Sequence, residues 1–378
     1  MEYINKENEK DIWVEKEEES ELMPTVNIRD YKFTTMGGDI QIRQFVDQLN
    51  EGDIEIPNIQ RHYVWSPLLA SRFIESALLD LPLPSVFLCK QKNGKYLIVD
   101  GLQRLTTLKM FLNMETVNGK TFKLSNSKDI YEDWRGKSFG ELSVDDKRRL
   151  RNKTIHAIIV EQLNPENYDG LFLIFERINS GGLQLNQQEI RNAIYQTDYN
   201  TLLAELNDEP LWRLFFGDKN THKRMKDIEM ILRFFALVDH PIKNNETGTT
   251  SFVSLLNKQM DENKNADSEK MKNSKERFLN VLNKLQSFFN TEIFRMNISD
   301  KNKVTKKFYA TLFDSIMMAT DYALQINPNI SSDITKLEEL FKNDIFKGFI
   351  NSHTSENKSI VGRIGLACQI LYGINYAR

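Results

Sequence analysis

Cysteine is scarce: Cys89 and Cys368 are the only two in 378 residues, far apart and each beside apolar neighbours. A disulfide-stapled scaffold and a cysteine-cluster zinc site are therefore excluded, and both residues read as buried thiols in a reducing compartment. The five histidines are scattered, with no His-x-x-x-His or histidine–carboxylate cluster at metal-ligand spacing. Gly-x-x-x-x-Gly-Lys-Ser/Thr, Gly-x-Gly-x-x-Gly and Gly-x-Ser-x-Gly are all missing, which argues against a P-loop, a dinucleotide Rossmann site and a nucleophile elbow. Apolar runs are short or broken by charge, so no membrane span is expected. The N-terminus alternates charges instead of presenting an apolar signal core, and a cytoplasmic location is expected. A large charge excess is lacking too. The net charge is -3 and the pI about 6.1, so any nucleic-acid contact needs a local basic patch.

What is present is ordinary globular composition, 40% hydrophobic and 27% charged, in a chain long enough for two domains. Residues 1–24, with Glu17-Glu18-Glu19, read as an acidic tail. Residues 25–195 mix helix and strand signals, and 196–378 are almost purely helical in pattern, with no repeat at a solenoid period. Within the mixed part a short helix is expected over 40–49, with Ile42, Phe45, Val46 and Leu49 on one face. Ile54–Pro57 reads as an edge strand. Ser66-Pro67 caps a helix over 67–79. Strands at 85–89 and 96–99 are joined by an Asn93-Gly94 hairpin turn, and another strand covers 154–161. Helices follow at 168–178 and from Asn186, where Glu189 completes a capping-box pattern. Further on, helices are expected over 228–238, 278–289, 304–322 and 360–372, with polar loops at 244–250 and 260–273.

Three polar constellations stand out. The sharpest is Val99-Asp100-Gly101-Leu102-Gln103-Arg104, where a strand ends and a helix begins. Such turns aim backbone N–H groups outward and suit phosphate. Gly101 allows close backbone approach, Arg104 can neutralise a phosphate, and Asp100 can hold a divalent ion or orient water. The same residues also suit an Asp N-cap and a salt-bridged arginine. In Gln60-Arg61-His62-Tyr63-Val64-Trp65, Arg61 offers a phosphate fork, and Tyr63 and Trp65 can stack on a base or pack as core aromatics. Phe175-Glu176-Arg177-Ile178-Asn179-Ser180-Gly181-Gly182 is either an anion-cradling nest or a helix C-cap.

Taken in order, Ile56-Pro57-x-x-Gln60-Arg61-x-Tyr63-x-Trp65-Ser66, Ile74-Glu75-Ser76, Leu81-Pro82-x-Pro84, Asp100-Gly101-x-Gln103-Arg104-Leu105-Thr106-Thr107-Leu108, and Phe175-x-Arg177-Ile178-Asn179-x-Gly181-Gly182 with Glu189-x-Arg191-Asn192 form one pattern. Residues 35–195 thereby resemble the N-terminal domain of GmrSD-type modification-dependent restriction enzymes, relatives of the ParB/sulfiredoxin fold. The helical remainder, including Arg224-Met225-Lys226-Asp227, resembles that family's continuation. The resemblance implies an α+β chain, a ParB/sulfiredoxin-like mixed domain followed by a helical region. It implies binding, often hydrolysis, of a nucleoside triphosphate with Mg²⁺, coupled to DNA restriction in anti-phage defence. Under it Asp100, Gln103 and Arg104 are the expected catalytic residues, with Asp100 on the metal. Gln60, Arg61, Tyr63, Trp65, Gly101, Arg177 and Asn179 are the expected nucleotide contacts.

Two departures qualify the pattern. Leu102 stands where the family usually has Gln, which removes a polar group that hydrolysis could need; alternatively Leu102 simply packs beneath the turn. His222, His240 and His353 do not form the His-Asn-His nuclease arrangement of two-part members. A separate nuclease subunit is the expected partner, with DNA, modified or not, reached directly or through it. A homo-oligomer stays open. The alternatives are a ParB-like metal-dependent DNA nuclease in its own right and a non-catalytic DNA- or partner-binding module.

Overall fold

The computed structural model describes residues 13–14, 31–55, 63, 65–91, 93–117, 120–164, 169–178, 186–243, 247–297 and 303–377. They fall into a mixed unit between residues 27 and 194 and a helical unit from 195 onward, to which the short strand β1 (Trp13–Val14) belongs.

In the mixed unit, β2 (Lys32–Gln41) leads directly into α1 (Ile42–Glu51). The α1 helix buries Ile42, Phe45, Val46 and Leu49, an i, i+3, i+4, i+7 stripe. It stops at Gly52, whose φ of +80° is a left-handed cap. After β3 (Ile54–Glu55) comes α2 (Pro67–Leu78), with Pro67 in its first turn and the Ser66 hydroxyl accepting the Leu69 N–H. Strands β4 (Val86–Lys90) and β5 (Tyr96–Asp100) form the expected hairpin around Gly94 at φ +85°. Then follow α3 (Leu102–Leu112), a small ribbon of β6 (Thr116–Val117) and β7 (Lys120–Thr121), α4 (Val144–Asn152), β8 (Thr154–Asn164), α5 (Asp169–Ile178) and α6 (Gln187–Ile194).

The sheet order is β2-β8-β4-β5-β3. Pairings β2/β8 and β4/β5 are antiparallel, while β4/β8 and β3/β5 are parallel, so the sheet is mixed. Ile54, Val86, Leu88, Ile98, Ile155 and Ala157 pack with Phe45, Ile74, Leu105, Leu108, Phe111 and Leu150 in one core. The fold is thus α+β, as expected. The α6 start is a true capping box: the Asn186 N–H donates to Glu189 Oε2 at 2.7 Å, and the Glu189 N–H to Asn186 Oδ1 at 2.8 Å.

The helical unit contains α7 (Asp198–Asp208), α8 (Pro210–Phe216), α9 (Lys226–Asp239), α10 (Phe252–Asn263) and α11 (Ser268–Phe288). A 3-10 turn at Ile293–Arg295 precedes β9 (Met296–Asn297), β10 (Lys303–Val304) and β11 (Lys307–Phe308). The chain closes with α12 (Ala310–Ile326), α13 (Ile334–Lys342), α14 (Asp344–Asn351) and α15 (Asn357–Tyr372). Strand β1 lies parallel to β11, pairing Trp13 with Lys307 and Val14 with Phe308. Trp212 is fully buried against Phe216, Phe278, Phe308 and Phe313.

Three expectations needed correction. Strand β2 was not expected at all, because Gly37-Gly38 and an exposed middle interrupt any alternation. The polar loop over 260–273 is mostly helix; only residues 264–267 separate α10 from α11. There α11 starts with a solvated turn and carries the Lys272–Glu276 pair four residues apart, so charge supports the helix instead of marking a loop. The helix expected from 304 begins at Ala310, since Lys303–Val304 pairs with Met296–Asn297 in a ribbon.

Two buried carboxylates organise the helical unit. Asp227 accepts from Asn207 Nδ2 at 2.9 Å, Arg213 Nη1 at 2.9 Å and the His222 N–H at 2.8 Å. Asp314 takes a bidentate fork from Arg233 at 2.7 and 2.6 Å and a third bond from Arg363 at 2.8 Å. Removing one partner of such a pair strands a buried charge. Asp227→Ala is therefore expected to lower stability by about 3–5 kcal/mol in urea unfolding. Cys89 and Cys368 are both buried free thiols. Burial, reinforced by the Glu161 charge, pushes the Cys89 thiol up to about 12. Both should react with a thiol reagent such as DTNB only after denaturation, and fast labelling of the native protein would contradict this packing.

Candidate functional site

The site is built at the N-terminal end of α3. Strand β5 delivers Asp100, and Gly101 then reverses the chain with φ +101°. A side chain there is excluded twice. The positive φ disfavours L-residues, and a Cβ would sit 2.6 Å from Val86 Cγ1 on the neighbouring strand. Gly101 is therefore explained by packing of the turn on β4, without any need for a ligand to approach it.

Asp100 and Arg104, four apart across this turn, are joined by a 2.5 Å bond from Arg104 Nη2 to Asp100 Oδ2. The pair is asymmetric in exposure: the Arg104 side chain is 15% exposed and that of Asp100 41%. Arg104 Nε is buried and has no hydrogen-bond partner among the described residues. A guanidinium with a buried N–H left over is costly unless another acceptor arrives.

Gln103 faces the segment that enters α2. Its Oε1 accepts from the Trp65 N–H at 3.4 Å. One turn on, the buried Thr107 donates to the Gln103 carbonyl at 2.7 Å and shares a 2.8 Å hydrogen bond with the Tyr63 hydroxyl. Burial holds the Tyr63 hydroxyl above its ordinary pKa. Trp65 packs edge-on against Phe73, with ring centroids 5.4 Å apart. Tyr63, Trp65 and Leu102 are all partly buried against the core of the mixed unit. Leu102 thus packs beneath the turn, and both aromatics have core partners, whatever else they touch.

Six expected site residues therefore converge on one end of α3: Tyr63, Trp65, Asp100, Gly101, Gln103 and Arg104. Arg177 is exposed in the last turn of α5, and no hydrogen bond or ion pair joins it to this turn among the described residues. Gln60, Arg61 and Asn179 lie outside the described residues, as do Gly181 and Gly182. Two residues that build the site were assigned no part in it from the sequence, although Thr107 stands within the family pattern. Val86 gave no signal, being one apolar residue in a strand. Thr107 could have been found, as a hydroxyl on the buried face of α3 four residues after Gln103.

Metal-ligand chemistry here is thin. Among the described residues no group of three or more His, Cys, Asp or Glu side chains is arranged to hold a metal ion. The three histidines of the helical unit serve local structure or pair singly: His222 Nδ1 accepts the Arg224 N–H at 3.1 Å, while His240 and His353 each lie 3.3 Å from a glutamate. Among the described residues, no helix is long and apolar enough to cross a membrane.

An α+β domain with a polar strand-to-helix turn at its site is the class these observations define. Residues 42–196, close to the whole mixed unit, match the family described as GmrSD restriction endonuclease, N-terminal domain. No curated protein matches the chain significantly.

The turn yields a contrast in stability. Gly101→Ala should cost about 1–3 kcal/mol through strain and collision with Val86. Leu102→Gln, at a partly buried helical position, should fold with a loss of about 1 kcal/mol. Urea unfolding of both variants checks the order, and equal losses would contradict the packing role of Gly101.

Proposed function

We propose that this protein is a nucleotide-binding, NTP-hydrolysing regulatory component of a DNA-restriction system in anti-phage defence, working with a separate nuclease. The observation that carries the nucleotide reading is Arg104: largely buried, tied to Asp100 by one nitrogen, with its Nε lacking a partner among the described residues. A phosphate oxygen is the acceptor such a guanidinium suits. The domain match supports the restriction context.

In this reading Arg104 binds phosphate beside the first-turn N–H groups of α3, and Arg61 adds a second guanidinium. Gln60, Arg177 and Asn179 complete the nucleotide contacts. Gln103 positions the entering segment through Trp65, and Tyr63 and Trp65 present ring edges to the base. A single carboxylate at the turn fits Mg²⁺ that arrives on phosphates, since that ion is commonly held by one or two carboxylates plus substrate oxygens. When bound, the ion would neutralise phosphate charge, with Asp100 as its protein ligand. Asp100 also orients the water that attacks. Because Asp100 and Arg104 neutralise each other, a nucleotide must exchange partners with the pair, and that exchange is the switch that regulates access to DNA or to the nuclease.

A second reading draws on the same pair. The closed Asp100–Arg104 bond, the packed Gly101 and the core contacts of Tyr63 and Trp65 also suit a non-catalytic module in which the turn is structural.

Thermal melting separates the two. With ATP, GTP, CTP or UTP at millimolar concentration and Mg²⁺, at least one nucleotide should raise the Tm by mass action. Arg104→Ala should remove the shift while remaining folded, and Asp100→Asn should remove the Mg²⁺-dependent part. No shift with any nucleotide, or a shift retained by Arg104→Ala, would sink the nucleotide reading in favour of the module. A phosphate-release assay on the responding nucleotide then tests hydrolysis.

A further inference from the structure

The chain as a whole is acidic, yet two segments of the helical unit are strongly basic and lie side by side. Residues 217–226, between α8 and α9, and the described parts of 292–309 together hold eight Lys and Arg against only Asp218 and Glu292. Phe216 packs against Phe308 with tilted rings and centroids 5.2 Å apart, which brings the two segments together at their base. Arg295 joins them directly: its guanidinium lies along the backbone of Gly217, so closely that a Cβ there would meet Arg295 Nε.

Both segments are held in shape from beneath. Gly217 has φ +93° and Met225 φ +54°, so the α8–α9 loop is bent tightly at each end. Inside it, Arg213 Nη1 donates to the Asn220 carbonyl at 2.9 Å and Asp227 accepts the His222 N–H. In the other segment the Thr305 N–H bonds the Arg295 carbonyl at 2.9 Å, and the Tyr309 N–H the Phe294 carbonyl at 2.8 Å. Lys307 Nζ stands 4.7 Å from the Tyr309 ring centroid. Lys226 is neutralised by Glu229 at 2.9 Å. Lys219, Lys223, Lys303 and Lys306 are exposed on this frame. Arg295 has a further mark of an anion contact. Its side chain is only 13% exposed, the Glu292 carboxylate lies 3.8 Å away, and its Nε is buried without a hydrogen-bond partner among the described residues.

We infer that this two-segment basic surface of the helical unit is a contact surface for the phosphate backbone of duplex DNA. Several cations spread over two segments, instead of converging on one point, match a polyanion with many phosphates better than a single small anion. Lysines dominate, and they act as point charges on the backbone without reading bases, so the contact is independent of sequence. The inference rests on the restriction reading for the choice of DNA over other polyanions. It is independent of the nucleotide site at α3.

The test is fluorescence anisotropy of a 30-base-pair duplex with the full chain, without nucleotide, from 50 to 300 mM KCl. Each lost phosphate contact lowers the slope of log affinity against log salt by about 0.9. Lys219→Gln with Lys303→Gln should reduce the slope by about 2 and weaken binding at 100 mM KCl by about tenfold or more. Adding Lys223→Gln and Lys306→Gln should reduce it further. A triple change of lysines elsewhere, Lys272→Gln, Lys342→Gln and Lys347→Gln, should leave it within about one unit of wild type. Absence of duplex binding by wild type, or an unchanged slope in the first double variant at native Tm, would overturn the inference. So would a single-stranded RNA of equal phosphate content that competes as well as the duplex, or inorganic phosphate at 5 mM that displaces it. Should the quadruple variant melt early, the double variant at native Tm decides. Duplex binding is read without nucleotide and the nucleotide response by melting without duplex, so failure of the nucleotide reading and failure of this one are separately visible.

Discussion

The constraint on which the mixed unit depends is the contact between Gly101 and Val86. The hairpin of β4 and β5 places the end of β5 directly against Val86, and the chain can turn into α3 only through a left-handed residue with no side chain. Once that turn is made, the buried stripe of Leu105, Leu108 and Phe111 falls onto the sheet face that carries Val86, Leu88 and Ile98. The same turn sets Asp100 and Arg104 one helical step apart, so their ion pair follows from the backbone geometry. The polar group at the site and the apolar core beneath it are two consequences of one reversal.

Much of this was legible in the sequence because the decisive signals are local. Ser66-Pro67, Asn93-Gly94 and the Asn186/Glu189 pair each fix a boundary through short-range chemistry, and the structure has each boundary there. The helix stripes of α1 and α3 were legible for the same reason. What could not be read depends on partners distant in sequence. Strand β2 exists because β8, more than a hundred residues later, pairs with it from Lys32 to Gln41. The ribbon of β9 and β10 likewise overrides the helical spacing that runs into Val304. Within the site, the residue types at Asp100, Gln103 and Arg104 announced a polar turn. They did not announce that Tyr63 and Trp65 bond to α3 through Thr107 and Gln103, because that contact is made across some forty residues.

The helical unit is held differently. Its centre is aromatic, with Trp212 in edge contact with Phe308 and Phe313, and its buried Asp227 and Asp314 are hydrogen-bonded to buried arginines. Arg233 also lies over the Phe252 ring, 3.4 Å from its centroid, so the Asp314 cluster is stacked as well as forked. Buried charge of this kind is intolerant of partial loss, since every partner removed leaves an ion without solvent. It also fixes which helices meet, because a bidentate fork between α9 and α12 accepts one register and penalises its neighbours.

Strand β2 carries one more consequence. Among the described residues it is the terminal strand of its sheet, ten residues long and exposed through its middle. An open border of that length is a template for a second chain to add itself, which is how soluble sheets become fibres. Here the border is blunted from within: Gly37 and Gly38 weaken the strand at its centre, and Asp39 next to them sets a charge against any incoming copy, while its carboxylate is bound to His156 Nδ1 at 2.8 Å. The loose alternation that hid this strand from view in the sequence is thus also what makes it a poor template.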